Sequence, residues 1–323
     1  MGDAFDNIFT GVKVQTNKIE VPKIIPKVEE EVEETDETIE VNTKHGTEVI
    51  DSLIRKQFTP KDTRLSITEA LTARQGIKLL LFGRQGTWKS SILMDAPAPK
   101  MIINLENGLT PLIESNMQYQ EMIKNGEIAI FNSLVLDEKT MNYDETATMQ
   151  QFDHDLNIIK NEAIKYHNET GKLMTIGIDS MTIFWEIIKM WLNVEIIRVE
   201  GSKTSKGKPT INKKGVPSDR RNWDKLSKKW NGVIASLMNI PANVIMIAQA
   251  KDAYDSEEGT ELGFDEPRVR KETPHAVDLA IQTFTDENGI RGFARVFKSR
   301  YKKIKKNQLI ENLSIQKLMD MIK

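Results

Sequence analysis

The sequence predicts an α/β fold, a mostly parallel twisted sheet flanked by helices, and three observations lead there. Short apolar runs at Ile77 to Phe82, Met101 to Leu105, Leu173 to Ile178 and Val244 to Ala248 show almost no polar alternation. Strands covered on both faces read this way. Helical patterns separate them, at Ser90 to Met94, Met149 to His167 and Trp223 to Met238. The first run also passes through a glycine-containing loop straight into a helical segment, the start of a strand–helix alternation.

The chain has 323 residues, enough for one large domain or for a core domain with appendages. Cysteine is absent, which excludes disulfides, thiolate zinc sites, iron–sulfur clusters and cysteine nucleophiles. No uncharged apolar stretch reaches the length of about 18 residues expected of a transmembrane helix. The N-terminal MGDAFDNIFTG lacks the basic start and apolar segment of a secretory signal, so the expected location is the cytoplasm.

The 45 Lys and Arg nearly balance the 47 Asp and Glu, but the two signs are segregated. Glu29 to Glu40 is almost all acid and Thr, whereas Arg291 to Lys306 contains basic residues and no acid. Residues 1–60 read as an acidic, largely disordered arm, because their apolar residues are isolated and Pro22 and Pro26 interrupt them. Such an arm is either a self-repelling solubilising tail or a docking segment that mimics the charge of nucleic acid. Residues 61–306 form the expected core, and 307–323 a short C-terminal helix or tail. Within the core, Glu200 to Asp219 and Lys251 to Pro274 read as long loops, and Gly292 to Phe297 as a final strand.

The most specific motif is IKLLLFGRQGTWKSSILM. A strand ends at Gly83, the loop Arg84, Gln85, Gly86, Thr87, Trp88 follows, and Lys89, Ser90 and Ser91 open a helix. That context suits a phosphate-binding loop, whose backbone N–H groups point at the β- and γ-phosphates of a nucleotide. Lys89 would neutralise those oxygens, and Ser90 would place its hydroxyl on Mg²⁺. The usual pattern has Gly immediately before Lys, where this chain has Trp88. A positive φ at that position would strain the backbone, and the indole must point away from the phosphates, or it could pack on the nucleotide or a neighbouring subunit.

A nucleotide-bound Mg²⁺ also needs a carboxylate at the end of a buried strand, and Asp179 ends LMTIGID. Asp179 could equally cap the following helix. Glu106 ends the strand of MIINLE, where a carboxylate can orient or deprotonate attacking water. Gln249 ends NVIMIAQ and can sense a γ-phosphate and signal to the segment behind it. Lys298 and Arg300 leave the last strand at alternate positions, on one side, so both could meet one phosphate group. They could also be a solvated basic edge that discourages aggregation.

In this order, GRQGTWKS, INLENG, IGIDS, IAQAKD and ARVFKSRYKK resemble the RecA-like core ATPases, most closely the phage-encoded group of recombination and single-strand annealing. The resemblance implies a RecA-like P-loop NTPase core with ATP and Mg²⁺ as ligands. It implies Glu106 as the water-activating acid, Asp179 as the second metal residue and Gln249 as the γ-phosphate sensor. Lys298 and Arg300 would then reach into a neighbouring subunit's ATP, in a ring or filament. The expected partners are single-stranded DNA, further copies of the chain, and a single-strand-binding or other replication protein, in the host cytoplasm. A hexameric helicase motor and a regulatory NTPase that does not bind DNA are the alternatives.

In that family single strands bind to loops following the metal-binding strand and the Gln strand. The corresponding basic residues here are Lys203, Lys206, Lys208, Lys213 and Lys214, with Arg220 and Arg221, in the first, and Lys251, Arg268, Arg270 and Lys271 in the second. They could track phosphates, or they could be merely solvated.

Overall fold

The structure is a computed structural model and describes residues 76–203, 209–211, 217, 220–254, 260–285 and 292–322. The acidic arm predicted at 1–60 lies outside the described residues. Strand β1 (Lys78–Gly83) is buried along its whole length. It pairs in parallel with β5 (Ala242–Tyr254) on one side and with β7 (Leu279–Thr285) on the other. Beyond β5 lie β4 (Met174–Asp179), β2 (Lys100–Asn104) and β3 (Ile128–Asn132), all parallel. Beyond β7 the sheet turns antiparallel through β8 (Gly292–Ser299) and β9 (Leu309–Glu311).

The missing alternation in the apolar runs has a direct cause, since helices cover both faces. Leu80 and Phe82 of β1, with Val244, Met246 and Ala248 of β5, face one core. That core is closed by α4 (Glu145–Thr170), α5 (Met181–Glu200) and α6 (Arg220–Asn239). Leu79 and Leu81 of β1, with Ile245 and Ile247 of β5, face the other. Here α1 (Lys89–Met94), α2 (Thr110–Glu114), α3 (Met117–Lys124) and α8 (Ile315–Ile322) contribute. Gly177 in the middle of β4 lets α1 lie close to the sheet, because a Cβ there would stand 2.6 Å from Leu93 Cδ1.

Two lysines at strand starts are fully covered. Lys78 Nζ donates to the carbonyls of Ile240 and Ala242 at 2.6 and 2.8 Å. Lys100 Nζ donates to the carbonyls of Met94, the last residue of α1, and of Ala96 just beyond it.

The segment Lys251 to Pro274 departs from the expected loop. Strand β5 runs on to Tyr254 and returns as β6 (Glu261–Pro267), a two-stranded antiparallel hairpin, before the short α7 (Thr273–Ala276). The ribbon is mostly exposed, Tyr254, Leu262 and Phe264 included, and buries only Ala253 and Pro267, so it has no apolar run to mark it as strand. The strand at Gly292 is likewise not the last, as β9 follows it. Among the described residues no helix is long and apolar enough to cross a membrane.

Candidate functional site

The parallel strands end together. Register places Gly83 beside Gln249 and Thr283, and Asn104 beside Asp179, so their trailing residues share one edge of the sheet. Ligands collect outside that edge in open α/β sheets. A cavity of about 500 Å³ opens there, lined by Gln85 to Ser91, Glu106, Asp179 and Gln249 among others.

Within the loop, Lys89 Nζ folds inward and donates to the carbonyls of Gly83 and Arg84 at 3.0 and 2.7 Å. Burial lowers its pKa, opposed by the charges of Asp179 and Glu106. Thr87 Oγ1 donates to the Arg84 carbonyl at 2.8 Å and shares a 2.8 Å hydrogen bond with Thr283 Oγ1, which fastens the loop to β7. Trp88 has φ 65°, so the left-handed backbone anticipated at this position is present with a bulky residue in it. Its indole is 53% exposed at the rim of the cavity.

Opposite the loop, Ser90 Oγ donates to Asp179 Oδ2 at 2.6 Å. Burial pushes the Asp179 carboxyl up to about 6, the Ser90 hydrogen bond holds it down, and the Glu106 charge adds to the rise. A carboxylate whose charge is disfavoured until a cation arrives, next to a hydroxyl, is the hard oxygen pair that Mg²⁺ takes. Ser90 and Asp179 therefore fit such an ion. Ser180 also caps α5 by accepting from Ile183 N, so the capping role considered for Asp179 falls to its neighbour.

Glu106 Oε1 accepts hydrogen bonds from Ser180 Oγ and, at 3.2 Å, from Gln249 Nε2. The Gln249 backbone N–H donates to Thr182 Oγ1 at 2.8 Å, while its carbonyl accepts from Arg268 N at 2.7 Å. Gln249 thus touches the candidate water-activating acid with its side chain and the base of the hairpin with its backbone.

Arg84 turns away from the cavity. Its guanidinium joins Asp265, at 2.5 Å from Nη2 to Oδ1, and Asp252, one on each strand of the hairpin. Sequence gave no signal for this, because a loop Arg and two acids more than 160 residues away have no local pattern.

Lys298 and Arg300 lie at the opposite edge of the sheet, since Ser299 pairs with Leu279 at the start of β7. Lys298 Nζ donates to the Val277 carbonyl, and Arg300 Nη2 to the His275 carbonyl at 2.7 Å. Arg300 also meets Asp278 at 3.3 Å. With the length of β7 intervening, neither reaches the loop of its own chain.

Of the basic residues singled out for nucleic acid, Lys206, Lys208, Lys213 and Lys214 lie outside the described residues. Lys251 pairs with Glu266 at 3.0 Å, Arg268 with Glu186 at 3.6 Å, and Arg270 with Glu272 at 3.0 Å. Lys271 is exposed.

Residues 75–301 match the AAA domain family. The chain belongs to that family. Among solved structures, this AAA domain is similar to the RadB recombinase, at 11% identity and TM-score 0.42 over 76% of this chain and 91% of that one. It is also similar to a KaiC-like protein from Pyrococcus horikoshii, at 14% identity and TM-score 0.37 over 74% and 90%. No curated protein matches it. The AAA domain is a P-loop NTPase, here built on a mostly parallel sheet flanked by helices.

Proposed function

We propose that this AAA domain is a Mg²⁺-dependent ATPase that assembles with further copies of itself, binds single-stranded DNA, and serves recombination, annealing or replication. The observation that carries this reading is the convergence of Lys89, Ser90, Asp179, Glu106 and Gln249 on one cavity whose last member begins an exposed hairpin.

Lys89 would leave the Gly83 and Arg84 carbonyls for the β- and γ-phosphates. Ser90 and Asp179 would hold Mg²⁺, which supplies charge neutralisation. Glu106 would take the proton of the attacking water. A γ-phosphate that drew Gln249 away from Glu106 would free that carboxylate and shift the hairpin at the same time. Placement at the far edge supports action of Lys298 and Arg300 on a neighbouring subunit's nucleotide alone, released there from the backbone carbonyls they now grip.

Tyr254 and Phe264, both about half exposed on the hairpin, supply base-stacking surface beside Lys251 and Arg268. The ion pairs of those cations are partly exposed and so cost little to exchange for DNA phosphates. The same pairs also favour a second reading, a regulatory NTPase without DNA. Fluorescence anisotropy of a labelled oligonucleotide separates the two: ATP-dependent binding that weakens steeply with salt supports the first, and no binding at low salt the second.

A further inference from the structure

The nucleotide cavity ends at Trp88, and a second cavity begins behind it. This one, of about 180 Å³, is walled by Trp88, Ser91 and Asp95 along α1, by Thr283 and Phe293 from β7 and β8, and by Asn312 just past β9. Thr87, Trp88 and Ser91 line both. Asn312 lies beyond the residues that match the family.

Sheet order gives the two cavities different parts. Glu106, Asp179 and Gln249 come from β2, β4 and β5, all on one side of β1, whereas Phe293 and Asn312 come from beyond β7 on the other. In phosphoryl transfer the attacking and leaving oxygens are roughly in line. With the attacking water beside Glu106, the leaving diphosphate and the nucleoside it carries extend past the loop toward β7 and β8. Asp95 stands six residues after Lys89, about 9 Å along the helix axis, which is the reach from the middle phosphate to a base.

We propose that the second cavity holds the nucleotide base, with Trp88 stacked on the ring and Asn312 reading an adenine edge. The inference rests on the ATPase reading above. Adenine presents a donor beside an acceptor, the pair that an Asn amide matches. The Asn312 side chain has no hydrogen-bond partner among the described residues. Asp95, whose Oδ1 accepts from Tyr119 Oη, offers a carboxylate to the exocyclic amine and would repel the carbonyl oxygen of guanine. None of the lining residues is Arg or Lys, the side chains that pair with guanine. In this account the strained Trp that replaces glycine is a base-stacking residue, and the C-terminal segment completes the site.

Isothermal titration of the full chain with Mg²⁺ and ATP, GTP or inorganic tripolyphosphate tests it. ATP should bind at least about tenfold more tightly than tripolyphosphate, as stacking on an aromatic ring contributes on that scale. Asn312→Gly removes the amide yet keeps the positive φ of 48° at that position. It should weaken ATP severalfold, narrow the gap to GTP and leave tripolyphosphate unchanged, and Trp88→Ala should also weaken ATP selectively. Equal affinity for ATP and tripolyphosphate, or ATP affinity unmoved in both variants, overturns the inference while leaving the ATPase reading standing. Failure of that reading looks different: neither ligand binds and Lys89→Ala changes nothing, which overturns both.

Discussion

Arg84 of the loop between β1 and α1 and Asp265 of β6 are joined at 2.5 Å, so the loop proposed to grip nucleotide is tied directly to the hairpin. Asp252 holds the same guanidinium from the other strand. Together with Gln249 this makes two connections between the candidate cavity and one exposed ribbon. Replacing both acids by Asn should free the ribbon without touching the cavity lining. Hydrogen exchange at amides 250–254 and 261–266 should speed up in the Asp252→Asn, Asp265→Asn variant, with ATP affinity within about threefold of wild type. Unchanged exchange would mean that backbone pairing alone holds the hairpin.

Glu106→Gln keeps an acceptor for Ser180 and Gln249 but cannot take a proton from water. Hydrolysis should fall by about 10² to 10⁴, with ATP binding retained. Single-turnover rates and equilibrium binding on the same preparation check this, and a loss of binding equal to the loss of rate would remove Glu106 from the chemical step.

Trp88→Gly removes a bulky residue from a left-handed backbone position, where L-residues lose roughly 1–2 kcal/mol. Glycine's greater freedom in the unfolded chain offsets about half of that. The variant should be as stable as wild type or up to about 1 kcal/mol more stable by urea unfolding, even as its ATP affinity drops. A clear loss of stability would show that the indole contributes packing that outweighs the strain.

Lys100 gives a pH signature. Burial pushes its ammonium down to about 8, against an ordinary 10.5, with Asp95 and Glu127 opposing the shift. Between those values the unfolded chain holds a proton that the native chain does not, so stability contributed by this site rises with pH across the window. The neutral amine still donates to the Met94 and Ala96 carbonyls. Lys100→Met should therefore lose more than about 1 kcal/mol relative to wild type between pH 8 and 10, read from urea midpoints at each pH. Parallel pH profiles would contradict the burial argument.

What sequence could show divides along physical lines. β1, β2, β4 and β5 are legible because helices on both faces make their apolar runs continuous, and the phosphate loop is legible because its residues are contiguous. β3 sits at the end of the sheet and is only partly buried, β7 breaks its apolar run at Gln282 and Thr283, and β6 is mostly exposed, so none of them stands out. Glu106, Asp179 and Gln249 could be found singly, as polar residues ending apolar runs, but their meeting depends on strand order. The Arg84 clamp and the cavity reaching Asn312 depend on contacts across most of the chain, which no local spacing encodes.

The most direct measurement is steady-state ATP hydrolysis with and without single-stranded DNA, in wild type, Lys89→Ala and Arg300→Ala. Strong stimulation by DNA, abolished in both variants, is the result expected of an ATP site completed by a neighbouring subunit and coupled to a DNA-binding hairpin. A basal rate indifferent both to DNA and to Arg300 would contradict that account and leave a phosphate loop serving a regulatory NTPase.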